Sequence, residues 1–145
     1  MRVLLADDHS LFLEGLQNLL TGRGVQVVGT AHDGLEALEK ARTLSPDIIL
    51  MDVRMPVLDG VEATRLLQAE HPACKVIMLT TFDDDEYVFE ALRNGAAGYL
   101  LKDSSATELA LALQAIARGE TYLCSRVAQF IVSDYTRAPD AASPL

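Results

Sequence analysis

Five short apolar runs recur along the chain and are typical of buried β-strands. Each holds four or five residues rich in valine, isoleucine or leucine, the continuous pattern of strands that are covered on both faces. The runs occupy residues 3–6, 25–28, 47–51, 76–79 and 98–101. The second strand, predicted over residues 25–30, is less purely apolar than the others, so we expect it at an edge of the sheet.

The segments between these runs carry helix signals. Three of them open with a capping residue followed three positions later by glutamate, and two helical patterns end in glycine. The pairs are Asp33 with Glu36, Asp59 with Glu62 and Ser105 with Glu108, and the glycines are Gly95 and Gly119. Five strands that alternate with five helices predict an α/β fold, a doubly wound five-stranded parallel sheet with helices on both faces.

The pattern changes after Gly119, and we predict one domain over residues 1–120 followed by an extension over residues 121–145. Residues 121–123 are expected to prolong the core briefly. Ser125 is expected to cap a short helix that carries Val127, Phe130 and Ile131. Residues 136–145 are rich in alanine, proline and serine, which is typical of a linker or a frayed tail.

Composition narrows the classes of function. The 145 residues include 12 Lys and Arg against 21 Asp and Glu, a net charge of -9, so we expect DNA phosphates to repel this segment. Cys74 and Cys124 form no metal-binding or redox motif, which favours a reducing compartment. The first apolar run is too short for a signal peptide or a membrane span. We therefore expect a cytoplasmic protein without membrane contact.

Polar residues stand where four of the predicted strands end. The first strand is followed by Asp7 and Asp8, the third by Asp52, the fourth by Thr80 and the fifth by Lys102. In doubly wound sheets ligands bind beyond the carboxyl ends of the strands, where the strand order reverses. The sequence alone does not fix that order. In the common order 2-1-3-4-5, however, the three aspartates form one cluster.

Three close carboxylates need a countercharge, because mutual repulsion would otherwise raise the pKa of at least one of them. Mg²⁺ prefers oxygen ligands and supplies that charge. A phosphoryl group can then approach the Asp52 carboxylate, a nucleophile that forms an acyl phosphate. Lys102 and Thr80 are placed to stabilise the developing charge.

The other polar features favour ordinary structural roles. His9, His32 and His71 show no metal-ligand spacing and are expected on the surface or in loops. The run of acidic residues 83–86 is expected at the start of a helix, where the helix dipole favours negative charge.

Together these residues resemble a response-regulator receiver domain, which has a flavodoxin-like, CheY-like fold. The resemblance covers residues 1–120 and rests on Asp7-Asp8, residues 52–60, Thr80-Thr81 and Lys102. It implies that Asp52 is the phosphoacceptor and that Thr80 and Lys102 contact the phosphoryl group. It also implies that Asp8 is a direct metal ligand, that Asp7 binds the metal mostly through water, and that the backbone carbonyl of Arg54 is a further ligand. Tyr99 stands at the position of the switch aromatic. On phosphorylation, the Tyr99 ring is expected to turn inward. This would repack the surface made by the fourth helix, predicted over about residues 84–94, the fifth strand and the fifth helix.

Three segments are similar to the NarL/FixJ subfamily of two-component transcriptional regulators, namely residues 80–83, 98–103 and 119–123. This similarity implies a sensor histidine kinase as phosphodonor, a phosphorylation-promoted homodimer, and DNA binding through a C-terminal helix-turn-helix. The chain stops before such a domain would fit, so we expect it to be a fragment of a longer regulator. Asp103 replaces the proline that many receivers have after the lysine, which excludes a cis-proline there and is usual in this subfamily.

Three alternatives stay open. The chain can be a stand-alone receiver that acts through protein contacts. It can be a Mg²⁺-dependent phosphohydrolase, although such enzymes usually have an acid/base carboxylate two residues after the nucleophile, where this chain has Arg54. It can be a flavin carrier, although Asp7 and Asp8 would repel the flavin phosphate. We expect a signalling domain that catalyses only its own phosphorylation and dephosphorylation, not an enzyme with an external substrate.

Overall fold

The computed structural model describes residues 1–81 and 86–137, which form an α/β structure of six strands and six helices. The strands are β1 (Arg2–Ala6), β2 (Gln26–Ala31), β3 (Ile48–Asp52), β4 (Lys75–Thr80), β5 (Gly98–Leu101) and β6 (Tyr122–Leu123). The helices are α1 (Ser10–Leu20), α2 (Gly34–Leu44), α3 (Gly60–Glu70), α4 (Val88–Arg93), α5 (Ala106–Ala117) and α6 (Ser125–Arg137).

All strands are parallel and form one sheet in the order β2-β1-β3-β4-β5-β6. The order predicted for the first five strands is confirmed, and so is the edge position of β2. All five residues of β3 are buried, as their unbroken apolar pattern predicts. Helix α1 contacts α5, while α2 contacts α3 and α3 contacts α4, so the helices form two groups around the sheet.

The sheet has one strand more than predicted. Tyr122 and Leu123 form β6 by pairing with Gly98 and Tyr99 of β5. Two residues are too few to show a strand periodicity, so the sequence indicated only a brief extension of the core. Helix α6 continues through Thr136 to Arg137, two residues into the predicted linker. Residues 138–145, the rest of that linker, lie outside the described residues.

Three predicted helix caps are confirmed. The side chains of Asp33, Asp59 and Ser105 each accept a hydrogen bond from the backbone N–H three residues later. Gly95 and Gly119 follow α4 and α5 with φ of 103° and 86°, the left-handed conformation expected of a glycine that ends a helix. Helix α4 begins at Val88, later than predicted, and the acidic residues 83–85 expected at a helix start lie outside the described residues.

A glycine places helix α3 against the end of β3. A Cβ atom on Gly60 would lie 2.2 Å from the carbonyl oxygen of Asp52, a distance that side chains do not tolerate. The backbone N–H of Gly60 donates to the carbonyl oxygen of Val53 at 2.8 Å. The missing side chain therefore allows α3 to start directly beside the strand end that carries Asp52.

Among the described helices, none combines the length and the apolar character that crossing a lipid bilayer requires.

Candidate functional site

The carboxyl ends of four neighbouring strands bring the predicted site residues together at one edge of the sheet. Asp7 follows β1, Asp52 ends β3, Thr80 ends β4 and Lys102 follows β5. Ala6 and Met51 are register partners, so the next residues, Asp7 and Asp52, leave adjacent strands side by side. The backbone N–H of Lys102 donates to the carbonyl oxygen of Thr80 at 2.8 Å and fixes the loop after β5.

Lys102 joins the two buried aspartates. Its Nζ lies 2.7 Å from Oδ2 of Asp7 and 3.0 Å from Oδ2 of Asp52. Asp7 is fully buried and Asp52 is 3% exposed. The ammonium lies 5.0 Å from the centroid of the Phe12 ring, which covers it from the side of α1. One cation thus faces two carboxylates in a largely water-excluded position.

The electrostatics of this contact leave an excess of negative charge. Burial raises the pKa of Asp52, its hydrogen bond to Lys102 opposes this, and the charge of Asp7 raises it further. Burial by itself would lower the pKa of Lys102, but hydrogen bonds to Asp7 and Asp52 outweigh burial and leave that pKa raised. A second cation at this position would therefore stabilise the ionised form of Asp52.

Asp8 and His9 complete a group of donor atoms that is compact enough for a metal ion. Oxygens of Asp7, Asp8 and Asp52 and a ring nitrogen of His9 all lie within 4.8 Å of one another. Asp8 is the exposed member of the three carboxylates, so the pocket is open to solvent on that side. Three carboxylate oxygens suit Mg²⁺, which prefers hard oxygen ligands and keeps some of its water. The pocket of Asp7, Asp8 and Asp52 can thus bind a metal.

Arg54 lies at the rim of this acidic pocket. Its backbone N–H donates to Oδ1 of Asp52 at 3.4 Å. Its side chain points to the start of α4, where the guanidinium lies 3.6 Å from Glu86 and 5.5 Å from the centroid of the Tyr87 ring. Between these elements opens a cavity of about 330 Å³, lined by Asp8, Val53, Arg54, Met55, Pro56, Asp59 and Tyr87.

Thr80 and Tyr99 occupy the buried side of the site. The Thr80 hydroxyl donates to the carbonyl oxygen of Thr81 at 3.1 Å. Tyr99, on the neighbouring β5, is fully buried. The inward rotation of this ring on phosphorylation stays a prediction. In this structure the ring is already withdrawn from solvent.

His9 is a member of the site that the sequence analysis set aside. Its Nδ1 lies 3.0 Å from Oδ1 of Asp7 and 3.2 Å from Oδ1 of Asp8. The ring is exposed, as expected, but it borders the acidic pocket. A search for His and Cys spacing could not find it, because its partners are carboxylates. The available signal was its position directly after Asp7-Asp8 at a strand end.

Comparisons with known proteins agree with this geometry. The family model described as the response regulator receiver domain matches residues 3–114. The transcriptional regulatory protein LnrK of Bacillus subtilis (strain 168) is 43% identical over 138 residues, which are 94% of this chain and 63% of that protein. The chain therefore spans about 63% of the length of such a curated relative.

Solved structures give the same result. The signal receiver domain of the response regulator NarL from Mycobacterium tuberculosis superposes with a TM-score of 0.78 at 40% identity, covering 82% of this chain and 97% of that one. A structure of two RcsB dimers bound to two parallel DNAs gives a TM-score of 0.81 at 26% identity, covering 90% of this chain and 67% of that one.

Proposed function

The chain belongs to the response regulator receiver domain family, and we propose on this premise that it accepts a phosphoryl group on Asp52 as the switch of a two-component transcriptional regulator. The observation that supports the proposal is the environment of Asp52. Its carboxylate is buried, and one of its oxygens pairs with the Lys102 ammonium. The carboxylates of Asp7 and of the exposed Asp8 lie beside it. Phosphoryl transfer depends mainly on positioning and on positive charge near the phosphoryl oxygens, and this environment holds the nucleophile in place beside a cation.

In the proposed reaction, an oxygen of Asp52 forms the new P–O bond while the P–N bond of a phosphohistidine donor breaks. The leaving imidazole takes a proton from solvent. Lys102 holds Asp52 through Oδ2 and supplies positive charge next to the incoming phosphoryl oxygens. The Thr80 hydroxyl, at the end of the adjacent strand, would exchange its bond to the Thr81 carbonyl for one to a phosphoryl oxygen.

Asp7, Asp8 and Asp52 would hold Mg²⁺, with the backbone carbonyl of Arg54 as a further proposed ligand. When bound, this ion neutralises charge on the phosphoryl oxygens. The domain catalyses only its own phosphorylation and dephosphorylation in this scheme.

The proposed partners follow from the relatives. LnrK carries the name of a transcriptional regulatory protein, and RcsB binds DNA as dimers. We propose that a sensor histidine kinase phosphorylates this domain in the cytoplasm and that phosphorylation promotes a homodimer. DNA would be bound by a separate C-terminal domain. The net charge of -9 supports a division in which this segment receives the signal and another segment contacts DNA.

The proposal is tested by phosphorylation with acetyl phosphate in the presence of Mg²⁺, followed by intact-mass spectrometry. The wild-type chain should gain one phosphoryl group that is lost in alkali, and Asp52→Ala should gain none. Asp33→Ser is a matched control, because it removes an aspartate outside the cluster and keeps an N-cap for α2. Undiminished labelling of Asp52→Ala would show that the phosphoacceptor is another residue.

A further inference from the structure

The C-terminal segment of the described chain, residues 121–137, is fastened to β5 where it begins. The backbone N–H of the buried Cys124 donates to the carbonyl oxygen of Tyr99 at 3.0 Å. The hydroxyl of Tyr122 donates to a carboxylate oxygen of Glu108, in the first turn of α5, at 3.1 Å. The beginning of α6 is therefore fixed to the strand that leads into the lysine of the acidic pocket.

The body of α6 rests on α4. The ring centroids of Phe130 and Phe89 lie 5.7 Å apart, and Val127 of α6 is fully buried. Phe89 stands in the first turn of α4, two residues after Tyr87, whose ring centroid lies 5.5 Å from the guanidinium of Arg54. Helix α6 thus packs on the end of α4 that contacts the rim of the acidic pocket.

Arg54 links this end of α4 to the proposed phosphoacceptor. Its backbone N–H donates to Oδ1 of Asp52 at 3.4 Å, while its guanidinium lies 3.6 Å from Glu86. The two side chains of that ion pair are 56% and 68% exposed, so the pair contributes little energy and is easily exchanged. A phosphoryl group on Asp52 would add roughly two negative charges and three acceptor oxygens. Its oxygens would compete with Glu86 for the guanidinium, because arginine forms strong charge-assisted hydrogen bonds to phosphates.

We propose that α6 is an autoinhibitory element, whose docking on α4 and the phosphorylation of Asp52 weaken each other. This inference rests on the proposed function and adds to it a regulatory contact within the chain. When the phosphoryl group attracts the Arg54 guanidinium, the contacts of that group with the start of α4 are lost. Helix α4 is then held less firmly, and its ring contact with α6 loosens.

The coupling acts in both directions, because a ligand that weakens a contact binds more tightly once that contact is gone. Docked α6 stabilises the start of α4 and so keeps the Arg54 guanidinium on Glu86 and Tyr87, away from the acceptor. Detachment of α6 frees the guanidinium for the phosphoryl oxygens. The position of α6 thereby reports whether Asp52 is occupied.

The experiment measures the affinity of the whole chain for beryllofluoride, a phosphoryl mimic, by calorimetry in the presence of Mg²⁺. The main variant is Phe130→Ala, which removes the ring that rests on α4. The matched control is Val132→Ala, at a 63% exposed position on the same helix. Tyr122→Phe is a milder variant, which removes the hydrogen bond to Glu108 and loosens the same segment. Hydrogen exchange of Ser125–Arg137 is followed with and without beryllofluoride.

We expect beryllofluoride to bind Phe130→Ala about fivefold more tightly than the wild type and Tyr122→Phe more tightly to a smaller extent. The affinity of Val132→Ala should equal that of the wild type. Beryllofluoride should accelerate exchange within α6 of the wild-type chain. In an Arg54→Gln background, Phe130→Ala should no longer change the affinity, because the link between the acceptor and α4 is missing.

An unchanged or weaker affinity of Phe130→Ala, or exchange within α6 that beryllofluoride leaves unchanged or slows, would overturn the inference. A merely structural defect would weaken binding, so the expected tightening separates regulation from lost packing. Tyr122→Phe decides the question if Phe130→Ala does not fold. If the wild type is phosphorylated at Asp52 and α6 does not respond, the autoinhibition alone is wrong. If Asp52→Ala is labelled as fully as the wild type, the proposed phosphoacceptor is wrong and this inference is wrong with it.

Discussion

At the scale of single residues, the contact of Lys102 with two buried carboxylates gives the first prediction. Lys102→Met leaves Asp7 and Asp52 facing each other without a cation, and breaking a buried ion pair in this way costs about 3 kcal/mol or more. Urea unfolding should show this loss in the absence of Mg²⁺. Added Mg²⁺ should restore more stability to the variant than to the wild type, because it replaces the missing charge.

The control for that variant is Lys75→Met, at an exposed position at the start of β4, whose stability should change little. Equal losses in the two lysine variants would mean that the Lys102 ammonium contributes no specific contact in the folded protein.

The raised pKa of Asp52 predicts a pH dependence. A carboxyl group whose pKa is higher in the folded than in the unfolded state stabilises the fold below the unfolded value and loses that contribution as pH rises through the folded value. Asp52→Asn removes the buried charge, so the metal-free variant should be more stable than the wild type at neutral pH. Its advantage should shrink as pH falls towards about 4, the ordinary carboxyl pKa.

Urea unfolding with chelator across this pH range measures the difference. An advantage that stays constant or grows on acidification would contradict a raised pKa. Mg²⁺ is expected to stabilise the wild type more than Asp52→Asn, since the variant lacks one of the three carboxylates.

At the scale of secondary-structure elements, helix α6 depends on a few contacts with the rest of the domain. The ring centroids of Phe130 and Phe89 of α4 are 5.7 Å apart and tilted by 45°, and Val127 is fully buried. Phe130→Ala should cost about 1 kcal/mol or more, since aromatic pairs contribute beyond the area they bury. Hydrogen exchange should accelerate within Ser125–Arg137 and stay slow in β1 and β3.

The exposed Val132 on the same helix provides the control, and Val132→Ala should leave exchange nearly unchanged. If both variants leave α6 equally protected, the aromatic contact does not hold the helix on the domain.

Some of these secondary-structure elements could be predicted from the sequence, and others could not. Strands β1, β3 and β4 are buried on both faces, so their continuous apolar pattern was enough to predict them. The three helix caps could be predicted because they depend only on local hydrogen bonds. The two residues of β6 are ordered by their pairing with β5, which no local pattern reveals. The start of α4 has no side-chain cap, and the Tyr87 ring directly ahead of it lies 5.5 Å from the Arg54 guanidinium, a contact between residues far apart in the sequence.

At the scale of the whole molecule, most of the candidate site could be predicted, because parallel strands place their carboxyl ends at one edge. Together with the common strand order 2-1-3-4-5, this rule located Asp7, Asp52, Thr80 and Lys102. It does not specify side-chain direction. The contact of His9 with the carboxylates and the complete burial of Tyr99 are seen only in the folded structure, because strand assignments carry no information about side-chain direction. The roles assigned to these residues stay predictions.

The last prediction concerns self-association of the domain. Helices α1 and α5 pack side by side and expose Leu11 and Leu111, which are 83% and 54% accessible, whereas α4 is partly covered by the Phe130 ring of α6. Contiguous exposed apolar patches mark interaction sites, so we take the α1–α5 face as the predicted interface. Beryllofluoride with Mg²⁺, which mimics the phosphoryl group, should therefore shift the chain from monomer towards dimer in sedimentation, and Leu111→Glu should prevent the shift.

Leu35→Glu, at a 45% exposed leucine on α2, should still dimerise. A dimer that persists in Leu111→Glu but is lost in Val132→Glu would place the interface on α6 instead.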